Sequence, residues 1–82
     1  MDIEIIPCLN DNYSYLVKDK QTNTVAIIDP SEFRPCDKKI NQKYKKLDFI
    51  LNTHHHFDHI GGNVELKNKY GSKVLGFEKD KK

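Results

Sequence analysis

With 82 residues the chain has room for one domain at most, and a domain of that size buries only about 60% of the surface its unfolded chain exposes. Charged residues make up 32% and hydrophobic ones 37%, so the core is marginal without a metal or a partner. Fourteen Lys/Arg against 12 Asp/Glu is too small an excess for a nucleic-acid or membrane-surface binder, which needs a clustered basic face. Lys38-Lys39, Lys43, Lys45-Lys46 and the tail 79–82 read as a solvated helix face and a frayed end. No apolar run approaches the ~20 residues of a membrane span. Residues 1–10 hold acids and a proline, unlike a signal peptide, so the expected compartment is the cytosol. Cys8 and Cys36 are far apart in sequence and form no CxxC pair, and they read as two free thiols, one or both semi-buried.

In chain order, Ile3, Ile5 and Ile6 around Glu4 predict a strand that stops at Pro7. Asn10-Asp11-Asn12 predicts a turn, since Asn and Asp bond their own backbone and tolerate left-handed geometry. Residues 13–17 predict a second strand, 18–23 a polar connection and 24–28 a third strand, the last two strands forming a hairpin. Asp29-Pro30-Ser31 ends the third strand. Pro35 predicts a helix starting just after it, over 37–45, because Ile40, Tyr44 and Leu47 recur at helical spacing. Residues 47–51 predict a strand. Val64, Leu66 and Lys67 fall in a second helix that Gly71 ends, and 72–77 predict a final strand. The order of three strands, helix, strand, loop, helix, strand points to an α/β class. The chain stops after a strand with no closing helix, so a truncated domain is expected.

All four histidines fall in one stretch with an aspartate: Thr53-His54-His55-His56-Phe57-Asp58-His59. Alternate residues of an extended segment point the same way, so His54, His56 and Asp58 can converge while His55 and Phe57 face the other side. His59 swings round as the chain turns into the helix. Such side chains repel one another when charged and desolvate poorly when neutral. A divalent cation resolves both by using imidazole nitrogen and carboxylate oxygen as ligands. The stretch lies after an apolar strand and before a helix, where α/β folds gather their chemistry, and Gly61-Gly62 let the backbone pass close to the ligands. An affinity-tag remnant would sit at a terminus and lack the Asp-His. A structural zinc would favour thiolates, and neither cysteine is near. A chance surface cluster would have to place every histidine here. His55 suits packing or support better than ligation.

The pattern His54-x-His56-x-Asp58-His59 resembles the signature of the metallo-β-lactamase superfamily. The longer string Thr-His-His-His-Phe-Asp-His-Ile-Gly-Gly-Asn over 53–63 is similar to the glyoxalase II (hydroxyacylglutathione hydrolase) family. So are Ile5-Ile6-Pro7-Cys8-Leu9-Asn10-Asp11-Asn12-Tyr13 and Ala26-Ile27-Ile28-Asp29-Pro30-Ser31. Persulfide dioxygenases and metallo-β-lactamases share the short core, but the flanks favour glyoxalase II. The resemblance covers nearly the whole chain and about the first third of a full-length member. It implies that 1–82 is a single partial domain, the first sheet and about two helices of an αβ/βα sandwich. It further implies that His54 and His56 bind one metal and Asp58 and His59 a second. Asp29 would support the loop from behind, a role to set beside that of a turn former before Pro30. The metals would be zinc, with iron or manganese as substitutes.

The activity so implied is hydrolysis of the thioester S-D-lactoylglutathione to D-lactate and glutathione. Two metals roughly 3.5–4 Å apart would share a water and lower its pKa, giving hydroxide as nucleophile, and would stabilise the oxyanion; Asp58 would hold the hydroxide in line. A catalytic zinc takes about three protein ligands, and this chain offers two per metal. The family's further histidines, bridging aspartate and glutathione-binding residues fall beyond position 82. The chain is therefore expected to be inactive alone, as a fragment or as half of a split hydrolase completed by a second polypeptide. The alternative is a non-catalytic metal-binding or interaction remnant. A sheet face that normally meets the missing half would favour self-association.

Overall fold

The computed structural model describes residues 1–8, 12–53 and 63–76. Seven elements follow one another: β1 (Asp2–Cys8), β2 (Asn12–Asp19), β3 (Thr24–Ile28), α1 (Phe33–Lys43), β4 (Phe49–Leu51), α2 (Asn63–Tyr70) and β5 (Lys73–Leu75). This is the expected order, and the α/β class is borne out. The strands form one five-stranded sheet in the order β1-β2-β3-β4-β5. β1, β2 and β3 pair antiparallel, while β4 and β5 join parallel. Parallel neighbours need a crossover connection, and α1 and α2 provide the two.

Burial alternates along the strands, which places one side of the sheet against the helices. Ile6 and Cys8 of β1, Ser14 and Leu16 of β2, Val25 and Ile27 of β3, and Ile50 of β4 are buried. They form the core with Cys36 and Ile40 of α1, Leu47 and Leu66. The helices touch each other through Asp37, which accepts hydrogen bonds from Lys69 at 2.8 Å and from the Tyr70 hydroxyl. Lys43 at the end of α1 reaches back to Glu4 of β1 at 2.8 Å.

Several boundaries differ from expectation, each for a local reason. β1 does not stop at Pro7; it runs on to Cys8, with Pro7 opposite Tyr13. β1 is an edge strand, where a missing N–H costs no ladder bond. β2 extends to Asp19, whose carboxylate accepts from Gln21 N–H and the Thr22 hydroxyl and so closes the hairpin. α1 begins at Phe33 rather than after Pro35; a proline in the first turn loses only an N–H that has no partner within the helix. α1 also ends two residues early. Tyr44 and Lys45 both donate to the Ile40 carbonyl, and Lys45 turns left-handed at φ 58°. Leu47 belongs to the connection that follows, although it packs in the core. β4 and β5 are three residues each, shorter than the apolar runs suggested. Gly71 ends α2 as expected, with φ 68° and its N–H on the Lys67 carbonyl. Asn10-Asp11 lies outside the described residues, and Asn12 opens β2.

Candidate metal centre

The carboxyl ends of β3 and β4 lie side by side, and one residue joins them. Asp29, directly after β3, has a left-handed backbone (φ 52°), a conformation that costs most L-residues about 1–2 kcal/mol and that aspartate tolerates better than most. In this shape its N–H donates to the Leu51 carbonyl at the end of β4, at 2.8 Å. Its carboxylate turns to the residue two places further on: Thr53 N–H donates to Oδ1 at 2.8 Å, and the Thr53 hydroxyl donates to Oδ2. The Asp29 carbonyl accepts from the buried Ser14 hydroxyl of β2 at 2.8 Å. Asp29 is therefore fixed at its N–H, its carbonyl and both carboxylate oxygens. Thr53 is the last residue before His54, so this grip sets where the chain leaves the sheet.

Of the two functions weighed for Asp29, its backbone carries the turn; its carboxylate holds Thr53, and the loop it was expected to support lies outside the described residues. His54, His56, Asp58 and His59, with His55, Phe57 and Gly61-Gly62, lie outside the described residues. Among the described residues no three His, Cys, Asp or Glu side chains gather to hold a cation. The partners of Asp29 were not singled out from sequence. Ser14 carried a signal, since a serine on the inward face of Tyr13-Ser14-Tyr15-Leu16 must find a hydrogen bond when buried. Thr53 carried none beyond its place beside the histidines.

The chemistry of the donor set suits a divalent cation of intermediate softness, since imidazole and carboxylate together match zinc or a neighbouring transition metal. The flanks add polar character. Asn52 Oδ1 on one side of 54–62 and Asn63 Oδ1 on the other are buried without a partner among the described residues, as is Ser31 Oγ beyond Asp29. Buried polar atoms of this kind are rare unless satisfied.

A mixed five-stranded sheet layered on one side by two helices defines one layer of an α/β protein. Residues 9–82 match the family model for the metallo-beta-lactamase superfamily. The chain belongs to that superfamily, and membership implies a metal-dependent site. It is 57% identical over 81 residues to a hydroxyacylglutathione hydrolase of Pelagibacter ubique, covering 99% of this chain and 34% of that protein. It is 44% identical over 82 residues to one of Trichodesmium erythraeum, covering 99% and 32%. The chain thus spans about a third of the length of these relatives. In fold it resembles the crystal structure of BLEG-1 B3 metallo-beta-lactamase, with a TM-score of 0.75 at 24% identity, covering 89% of this chain and 35% of that one. Among the described residues no helix is long and apolar enough to cross a membrane.

Proposed function

We propose that this chain is the amino-terminal part of a hydroxyacylglutathione hydrolase, cytosolic, and that it supplies part of the metal site that cleaves S-D-lactoylglutathione to D-lactate and glutathione. In this reading His54 and His56 serve one cation and Asp58 and His59 a second, zinc by preference, with iron or manganese able to substitute. When bound, such a pair supplies Lewis acidity toward a thioester carbonyl and acidifies water. Asp58 also accepts a hydrogen bond from the attacking water and aims it. Asp29 orients the loop through Thr53, and Ser14 orients Asp29. Two donors per cation fall short of a closed catalytic shell, so further ligands and the glutathione pocket come from additional sequence or a second polypeptide.

The observation that supports this reading is the grip of Asp29 on Thr53, the residue next in sequence to the six residues 54–59 that include every histidine of the chain. The test is thioester hydrolysis with added zinc. The 82-residue polypeptide is assayed alone and mixed with a polypeptide matching the rest of the Pelagibacter relative. Activity in the mixture only is the expected result. Zinc retained with no hydrolysis in either sample would replace it with the second reading, a non-catalytic metal-binding module.

A further inference from the structure

The two cysteines, far apart in sequence, meet in the core. Cys8 closes β1 on its helix-facing side and Cys36 lies in the first turns of α1; their sulfurs are 3.8 Å apart. Both are buried, at 2% and 0% exposure. Cys8 S–H has two acceptors within reach, the Ile6 carbonyl at 3.6 Å and, at 3.3 Å, the Ser14 hydroxyl, whose own proton goes to the Asp29 carbonyl. Burial pushes the Cys36 thiol up to about 12, so it stays protonated.

We infer that Cys8 and Cys36 form a reversible disulfide that staples the edge strand β1 to helix α1. A disulfide needs an S–S separation of about 2.05 Å, and rotation of the two side chains brings the sulfurs toward it. The oxidant is a low-molecular-weight disulfide of the glutathione type. Cys8 sulfur attacks it, forming a mixed disulfide and releasing one thiol. Cys36 sulfur then displaces the second thiol, its proton passing to the departing sulfur as the Cys8–Cys36 bond closes. Two cysteine sulfurs are oxidised, the two sulfurs of the reagent are reduced, and both cysteine protons leave on the released thiols. Opening of the edge strand admits the reagent, because edge elements open before the core does. In the closed form the Ser14 hydroxyl keeps its hydrogen bond to the Asp29 carbonyl. The staple therefore ties β1 to α1 without cutting the contacts that hold Thr53.

The measurement uses the whole chain in glutathione redox buffers, native and in denaturing urea. The chain has two cysteines, so any intramolecular disulfide is this one, and the question is whether the fold favours it. By linkage, a disulfide that fits the fold is stabilised by folding to the same factor by which it stabilises folding. The expected result is an equilibrium constant for oxidation at least about tenfold larger in buffer than in urea, with a thermal midpoint raised by roughly 5–20 °C in the oxidised form. An equal or smaller constant in buffer would overturn the inference. So would mixed disulfides with glutathione or intermolecular dimers as the native products.

Discussion

At the scale of single residues, the turn and the carboxylate contacts of Asp29 can be separated by substitution. Asp29→Gly keeps the left-handed turn and removes the carboxylate; Asp29→Ala removes the carboxylate and adds a methyl group that disfavours φ 52°. Loss of the two hydrogen bonds to Thr53 is expected to cost about 1–3 kcal/mol in both variants. Alanine is expected to cost about 1 kcal/mol more than glycine. Urea unfolding of the three proteins measures this, and equal stability of the Gly and Ala variants would mean that the turn carries no strain. Sequence reading reached Asp29 as a turn former because an acid before Pro30 at a strand end is a local signal, and as a support for the loop only through the family resemblance. It missed the grip on Thr53 because that contact spans 24 positions and depends on β3 and β4 lying parallel. No residue pattern states that pairing.

At the scale of elements, α2 is held to α1 by a polar clamp. Burial raises the Asp37 carboxyl, but hydrogen bonds from Lys69 and Tyr70 and the charge of Lys69 outweigh it, and the net effect holds it below the usual carboxylate range. Burial and the bond to Asp37 push the Tyr70 phenol up. A carboxyl depressed in the folded state adds stability above its unfolded pKa of about 3.9, and this is lost as the pH falls through the lower folded value. The Asp37 contribution is therefore constant from neutral pH down to about pH 4 and disappears below it. Hydrogen exchange of the α2 amides is expected to accelerate in that acid window. Asp37→Asn should show the faster exchange already at neutral pH and lose the step; an unchanged step in that variant would assign it to another acid. The helices themselves were legible, since Ile40 and Leu66 are core residues and Gly71 is a stop. The ends of α1 were less so, because Pro35 is compatible with several positions of the first turn and Lys45 takes a left-handed stop that glycine usually announces.

At the scale of the whole molecule, helices cover one face of the sheet and leave an apolar one. The strand registers carry Ile5, Tyr15, Ile28, Leu51 and Leu75 across all five strands in one row, and Ile3, Val17, Ala26 and Phe49 across four in the next. None of these residues is buried; Ile3 is 61% exposed and Ile5 59%. Alternation in the sequence showed strands with two sides. The second side, however, is as apolar as the first in β3 and β4, and that composition suits strands covered on both faces. A contiguous apolar face does not stay in water without consequence. In a two-sheet sandwich a second layer covers this face; the 82-residue polypeptide by itself is expected to cover it with another copy. Sedimentation should then give a dimer or larger species, and Tyr15→Glu should return it to monomer. Tyr15 separates face stacking from edge pairing: it sits on β2, inside the sheet, so a charge there blocks stacking and leaves the edges β1 and β5 unchanged. A glutamate variant that still associates would place the contact on the edges, and a monomeric parent chain would mean that these rows are tolerated in water.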